Sequence, residues 1–585
     1  MRGTSLRRFR ESYLFLTFLA VTVGFVSGVG AIFFRWLINT FMRVFYGILP
    51  RALGFMGRSY YLIAPALGGA VIGPIIYKAA SETRGHGVPE IMEAVWTRGG
   101  RIRPRVALIK PLVSAICIGS GGSAGREGPI AQIGASFGST IGQLLRISPE
   151  KLRVLVACGA GAGIAATFNA PIAGIFFAME VILAEFRTRS FIPAVVATVT
   201  ATSISRKFLG DYPALGPLSY SLKCYCELPF YVGLGVLAGL VGILEIDSLY
   251  KFEDFFEELK LPTYVVPAIG GLAMGALGLG LPHVLGVGYG ENLIPPLTNS
   301  LLSVINQEME FKLMLVLVFA KILATSITLG SGGSGGVFAP SLFVGGMLGG
   351  AYGYLVNLLF PNLTAGYGAY ALVGMAAMFA GVSRATLTSI IILFEMTRDY
   401  EIILPLLISC VMSDMIVVFS GRNIYIQKLL RRGIKAKPER PPDALDLTLI
   451  RDVMRKGSEL VVIRKGIRVK EAYELMEKTG YHGFPVVDGR GRLVGLVTHN
   501  EINDAMTSGL WDMKIERIAI RDPLTLYPDE TLREALLRIG IKRKRGSHFP
   551  VVDRKDRKKL VGFVAMTDII SAYVKKTKEI EWFPA

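Results

Sequence analysis

An eleven-residue glycine loop that occurs twice constrains this chain more than any other feature. Gly119-Ser-Gly-Gly-Ser-Ala-Gly-Arg-Glu-Gly-Pro129 returns 211 residues later as Gly330-Ser-Gly-Gly-Ser-Gly-Gly-Val-Phe-Ala-Pro340, each copy lying between apolar runs. Seven of the eleven positions are identical, and Arg126 and Glu127 of the first copy become Val337 and Phe338 in the second. Glycine-rich backbone can turn its N–H groups toward an anion, and a helix starting just beyond it adds the positive end of its dipole. At bilayer depth such irregular backbone persists only where it is buried in protein or lines a cavity. Glycine-interrupted apolar segments at matching positions of two halves therefore point to an ion site near the midplane. For one loop alone, close helix packing through small residues is the competing reading; the duplication favours two related halves meeting at one site.

Composition fits that setting. The 585 residues are 51% hydrophobic and only 19% charged, with a mean hydropathy of +0.47, which excludes an ordinary soluble enzyme and indicates a polytopic α-helical membrane protein. Charge is scarce between about residues 12 and 420 and dense from Gln427 onward, so a soluble region is appended to a membrane body. The net charge of +19 is not a nucleic-acid signature. Arg2, Arg7, Arg8 and Arg10 precede the first apolar run, Arg98, Arg101, Arg103 and Arg105 fill a short loop, and Lys428, Arg431, Arg432, Lys435 and Lys437 follow the last run. By the positive-inside rule both termini are expected on the cytoplasmic side. The first run is long and lacks a small-residue cleavage site, so it reads as a retained span.

Cys117, Cys158 and Cys410 lie in apolar segments, and the Cys224-x-Cys226 pair has no partner ligands nearby; neither a disulfide framework nor a metal site is expected. Neither glycine loop contains Gly-Lys-Ser/Thr, and no nucleophile-base pair stands out, so the chain does not read as an enzyme.

Taken in order, a long first span from Tyr13 to about Tyr46 implies tilt, and a second runs from about Tyr60 to Lys78. Gly85-His-Gly-Val-Pro89 then forms a third helix-start loop, with proline suited to a first turn. The apolar pieces flanking Gly119–Pro129 are each too short to span alone, which predicts broken helices. Phe168-Asn-Ala-Pro171 opens a segment ending at Glu180-Val181, and a polar loop is expected over 207–228. Further apolar runs of unequal length fill the second half.

Gly85-His-Gly-Val-Pro89, Gly125-Arg-Glu-Gly-Pro129, Gly336-Val-Phe-Ala-Pro340 and Tyr425, joined by Phe168-Asn-Ala-Pro171 and Ser389-Ile-Ile-Ile-Leu-Phe-Glu-Met-Thr397, resemble in type and order the CLC family of chloride channels and proton-coupled chloride exchangers. The resemblance covers roughly residues 12–432, after a short cytoplasmic segment, 1–11. It implies a homodimer with one anion pathway per subunit, two pseudo-symmetric, inverted halves built from short broken helices, chloride as the transported ion, and no required cofactor. It also implies a multi-pass protein, here of a prokaryotic plasma membrane.

Carried over by position, Glu127 matches the gating glutamate, whose carboxylate competes with chloride for the same helix ends. His86, Gly87, Arg126, Gly128, Gly336, Val337 and Phe338 match the anion-binding loops, and Tyr425 matches a hydroxyl donor beneath the anion. Two departures stand out. His86 replaces the family's usual serine, so a ring N–H substitutes for a hydroxyl and pH-sensitive anion binding is expected. Val181, after Glu180, occupies the position where exchangers carry a proton-accepting glutamate. Valine cannot relay a proton, which favours a passive chloride conductance. Proton-coupled exchange through Glu180, Glu185 or His86 stays open. A more distant alternative, a cation or magnesium transporter, is opposed by loops that offer N–H donors where magnesium needs oxygens.

A proline- and charge-rich linker, 433–447, leads to a second internal repeat. His482-Gly-Phe-Pro-Val-Val-Asp488 is echoed by His548-Phe-Pro-Val-Val-Asp553, and Leu493-Val-Gly-Leu-Val497 by Leu560-Val-Gly-Phe-Val564. With amphipathic helices over Val469–Lys478 and Thr531–Gly540, these predict paired small α/β units. They resemble a tandem of cystathionine-β-synthase (CBS) domains, 448–508 and 515–576. That module often binds an adenine nucleotide (ATP, ADP or AMP), and the matching positions are Thr498, Glu501, Thr567 and Asp568.

Overall fold

The computed structural model describes residues 13–52, 57, 59–211, 222–289, 299–434, 444–541 and 547–581. The N-terminal basic cluster, most of the 433–447 linker with Lys435 and Lys437, and the middle of the 207–228 loop lie outside the described residues. The chain divides into Met1–Ala436 and Lys437–Ala585.

The first unit is helical. Among the described residues seven helices are long and apolar enough to cross a bilayer. In chain order its helices are α1 (Tyr13–Met42), α2 (Tyr60–Ala79), α3 (Val88–Thr97), α4 (Val106–Gly119), α5 (Glu127–Leu144), α6 (Pro149–Phe168), α7 (Pro171–Phe176), α8 (Thr188–Leu209), α9 (Leu228–Glu258), α10 (Val266–Gly280), α11 (Ser300–Ile305), α12 (Phe311–Gly330), α13 (Phe338–Leu359), α14 (Tyr367–Ser383), α15 (Thr386–Thr397), α16 (Ile403–Phe419) and α17 (Ile424–Arg431). The helix begun by α7 continues as a π-helix over Phe177–Leu183. The glycine loops break α4 from α5 and α12 from α13, as the sequence predicts.

Two-fold pseudo-symmetry is written in the backbone. Gly125 and Gly336, equivalent residues of the repeat, pair antiparallel through reciprocal N–H···O bonds of 2.7 and 2.6 Å. A residue can exchange both bonds with its own equivalent only across a local two-fold axis. Equivalent helices obey the same operation. A β-carbon at Gly69 of α2 would fall 2.0 Å from the Pro267 carbonyl oxygen of α10, and one at Gly271 would fall 2.2 Å from that of Pro65. Rising numbers on α2 thus meet falling numbers on α10, so the halves run in opposite directions, with glycine required where the backbones touch.

Buried polar groups lock this frame. Lys110 Nζ donates to the carbonyls of Thr83 (3.0 Å) and Gly85 (2.9 Å). Lys321, 211 residues on, donates to those of Val284 (3.0 Å) and Gly286 (2.8 Å). The Ser114 and Ser334 hydroxyls lie 2.9 Å apart, and their repeat equivalents Thr325 and Ser123 lie 3.1 Å apart. Each half thereby ties its helix to the other half's loop. One cysteine expectation needs correction: Cys224 and Cys226 are joined by a disulfide. The intervening residue brings the two side chains together without any partner from a distant segment.

In the second unit, β1 (Ile463–Arg464) runs parallel to β2 (Gly483–Val487), which pairs antiparallel with β3 (Leu493–Thr498), while β4 (His548–Val552) pairs antiparallel with β5 (Leu560–Ala565). The register is the same in both copies: Phe484 opposes Val497 and Phe549 opposes Val564. Helices α18 (Val469–Thr479), α19 (His499–Thr507), α20 (Leu532–Ile541) and α21 (Met566–Glu581) complete the two α/β units. Each unit has its own apolar core, one around Phe484 and Ile502, the other around Phe549 and Ile569.

Candidate anion site at converging helix ends

A narrow cavity in the first unit is lined by His86, Val88, Glu127, Gly128, Ile164, Phe177, Val337, Phe338 and Tyr425. Seven of these residues come from the starts of four helices, α3, α5, α13 and α17, while Ile164 of α6 and Phe177 of the π-helical stretch complete the wall. The local sequence explains each start. Gly87 takes φ +89°, a conformation costly for other residues, and turns the chain into α3 with proline in the first turn. The duplicated loops start α5 and α13. Asn423 caps α17, its Oδ1 accepting from the Tyr425 and Ile426 N–H groups at 2.8 Å. That cap uses the first amides of α17, so this helix presents its Tyr425 side chain to the cavity instead.

The loops interlock. Gly85 N–H donates to the Gly333 carbonyl (3.1 Å) and Gly335 N–H to that of Gly85 (3.3 Å). A β-carbon at Gly128 would lie 2.1 Å from the His86 carbonyl oxygen and 3.0 Å from Gly336 Cα. Three helix starts thus meet at backbone-contact distance, which concentrates their dipoles on one point.

Glu127, at the first position of α5, is fully buried. Its Oε1 accepts from the Tyr289 hydroxyl at 2.6 Å and lies 3.8 Å from Arg126 Nε. A β-carbon built at Gly125 would lie 2.3 Å from Glu127 Oε2 and 3.0 Å from the Ala339 amide nitrogen, so this oxygen sits close to the start of α13, and it completes no hydrogen bond. The carboxylate therefore spans both glycine loops. Phe338 packs on Phe168 and Phe379, with ring centroids 5.1 and 3.9 Å away, closing the apolar side of the cavity.

His86 stands at a boundary. It lines the narrow cavity and also a wider one of about 530 Å³. The wide cavity's basic residues are paired: Arg84 with Glu257, Lys428 with Glu253, Arg431 with Asp254, and Arg432 with Glu90 and Glu93. His86 Nδ1 is buried without a hydrogen-bond partner.

Val181 lies on the π-helical stretch within the apolar core, four residues beyond the cavity-lining Phe177. Glu180 is engaged elsewhere: it accepts from the Leu387 N–H (3.1 Å), the Thr388 N–H (2.8 Å) and the Thr388 hydroxyl (2.6 Å), capping α15. Glu395 of α15 returns the cap to α7, accepting from the Ile172 and Ala173 N–H groups at 3.1 and 2.7 Å. The buried Glu245 of α9 accepts from the Ser341 hydroxyl at 2.8 Å, and its Oε2 has no hydrogen-bond partner. Tyr425 lies within electrostatic range of both Glu127 and Glu245.

Sequence reasoning missed Tyr289, Glu245 and the lysine pair. The lysines carried a signal, each being a solitary charge inside an apolar run at the repeat spacing. Tyr289 carried a weaker one, in Gly286-Val-Gly-Tyr-Gly290.

Of the CBS positions, Glu501 Oε2 accepts from the Thr498 N–H (2.8 Å) and hydroxyl (2.5 Å), closing a capping box on α19. Asp568 accepts from the Ala565 N–H at 2.9 Å and pairs with Arg455 at 3.0 Å. Thr567 follows Met566 in the first turn of α21. Both acids are thus committed to their own helix starts.

Comparison with known proteins agrees with this geometry. The family model for voltage gated chloride channels matches residues 68–418, and the CBS domain model matches 450–508 and 515–575. The chain belongs to the CLC family. It is 34% identical over 390 residues to a chloride channel protein described as ClcB-like from Ralstonia nicotianae, covering 65% of this chain and 87% of that one. It is 33% identical over 435 residues to the H(+)/Cl(-) exchange transporter ClcA of Salmonella agona, covering 72% and 89%. A solved structure of a slow cyanobacterial Cl−/H+ antiporter aligns with a TM-score of 0.64 at 28% identity, covering 71% of this chain and 97% of that one. The chain is an integral membrane CLC protein with two C-terminal CBS domains.

Proposed function

We propose that this protein transports chloride across a membrane along a path through the narrow cavity, gated by the Glu127 carboxylate. One observation carries the reading: a buried carboxylate lies across the starts of α5 and α13, where converging N–H groups and dipoles favour negative charge. Chloride and the carboxylate are alternative occupants of that position. Protonation or displacement of Glu127 opens it, and His86, Val337, Phe338 and Tyr425 line the adjoining anion position. His86 places a titratable ring between the narrow and wide cavities, which supports pH-sensitive anion binding. Two copies work as a homodimer with both termini cytoplasmic, and the CBS pair is the regulatory unit.

A passive conductance is supported by Val181 and by the commitment of Glu180 to capping α15. A second reading, proton-coupled exchange, is supported by Glu245, a buried carboxylate with an uncommitted oxygen within electrostatic range of Tyr425, and by similarity to proteins described as exchangers. Chloride efflux from proteoliposomes with simultaneous recording of internal pH separates the two. Chloride loss without proton movement, altered in Glu127→Ala, is expected of the conductance. Uphill proton movement abolished by both Glu127→Ala and Glu245→Gln is expected of the exchanger. Wild-type chloride flux and proton movement in Glu127→Ala would refute both.

A further inference from the structure

The second half contains a second copy of the lysine-clamped loop that carries His86. Lys110 clamps the carbonyls of Thr83 and Gly85, and Lys321 clamps those of Val284 and Gly286. Within these clamps Gly87 and Gly288 take matching φ values of +89° and +88°. The equivalence sets Val287 opposite His86 and Tyr289 opposite Val88. Val88 lines the narrow cavity on one side of the pseudo-two-fold. The same operation carries Tyr289 to the other side, where its hydroxyl meets Glu127 Oε1 at 2.6 Å.

We propose that Tyr289 is the latch of the gate, a positioning residue whose hydroxyl holds the Glu127 carboxylate in the anion position against competing chloride. This rests on the reading of Glu127 as the gate. The tyrosine is buried, its ring lies 5.5 Å from the Arg126 guanidinium, and its loop is anchored by the two Lys321 hydrogen bonds. The donor is therefore fixed before the carboxylate arrives. A hydroxyl donating to a carboxylate stabilises the ionised, seated form selectively, because protonation removes much of that bond's strength. Chloride must break the contact to enter, so the latch raises the chloride concentration needed for conduction without itself binding the transported ion.

Chloride flux in proteoliposomes, measured against chloride concentration for wild type, Tyr289→Phe, Glu127→Ala and the double variant, tests the latch. Tyr289→Phe keeps the ring and removes only the hydroxyl. Half-saturating chloride is expected to fall about tenfold, corresponding to about 1.4 kcal/mol, with maximal flux at least as high as wild type. On the Glu127→Ala background the same substitution is expected to change half-saturation less than about twofold, since the latched group is gone. An equal shift on both backgrounds, or no shift on the wild-type background, would overturn the latch while leaving the gate standing. Wild-type chloride dependence in Glu127→Ala would overturn the gate, and the latch with it.

Discussion

Replacing Lys110 or Lys321 by methionine separates the two sides of the site. Each lysine is buried and donates two hydrogen bonds to loop carbonyls, at 3.0 and 2.9 Å for Lys110 and 3.0 and 2.8 Å for Lys321. A hydrogen bond involving a charged group contributes about 1.5–3 kcal/mol, so two give about 3–6 kcal/mol. Methionine retains the apolar stem and relieves the desolvation of a buried ammonium, which offsets part of that sum. A net loss of about 2–4 kcal/mol is expected for each. Lys321 stands at the upper end because its Nζ also lies 4.8 Å over the Phe343 ring. Thermal unfolding of detergent-solubilised protein should show both variants melting several degrees below wild type. The functional effects should have opposite signs. Lys110→Met should loosen the loop that holds His86 against the narrow cavity and raise half-saturating chloride. Lys321→Met loosens the Tyr289 loop, weakens the hold on Glu127, and lowers it. Wild-type melting of either variant would refute the clamp, and chloride shifts of the same sign in both would refute the assignment of the two loops to opposite sides.

Three further outcomes are expected. Glu180→Gln should lower melting by the equivalent of about 1–2 kcal/mol through loss of a charge-assisted cap, Glu395→Gln should do the same, and neither should alter the ratio of chloride to proton flux; a changed ratio in Glu180→Gln alone would restore that residue as a proton carrier. Gly128→Ala should abolish chloride flux in protein that still reaches the membrane, because its methyl would lie 2.1 Å from the His86 carbonyl, and near-normal flux would show that the loops can part. In the CBS pair, burial first, then His482 and Arg455, hold His548 below the ordinary histidine value of about 6.5. The unfolded chain therefore takes up the proton first as pH falls, so this unit should lose stability below about pH 6.5. Hydrogen exchange of the tail in the full-length protein at pH 7.5 and 5.5 measures the loss, and His548→Phe should flatten it.

The glycine repeat made the duplicated architecture legible because both copies serve the same backbone geometry, while side chains that line the cavity differ between them, as at Glu127 and Phe338. Gly85-His-Gly-Val-Pro89 was legible for the same reason. Its counterpart at Gly286–Tyr289 was not, because valine replaces histidine there and the glycines that fix the turn are common in such a glycine-rich chain. Glu180 looked like a free acid in sequence because its partners, Leu387 and Thr388, lie more than two hundred residues away and act through backbone N–H groups that no side-chain pattern marks. Glu501 and Asp568 of the CBS pair stood out in sequence as acids at positions matching a nucleotide-binding module, but their helix-capping bonds appear only once β3 and β5 are seen to run directly into α19 and α21.

The most direct test of the anion site is anomalous scattering from crystals of Glu127→Ala protein grown in bromide. A bromide peak is expected where the Glu127 carboxylate lies across the starts of α5 and α13, with a neighbouring peak between Val337, Phe338 and Tyr425. Well-ordered density for these loops with no bromide at either position would contradict the account.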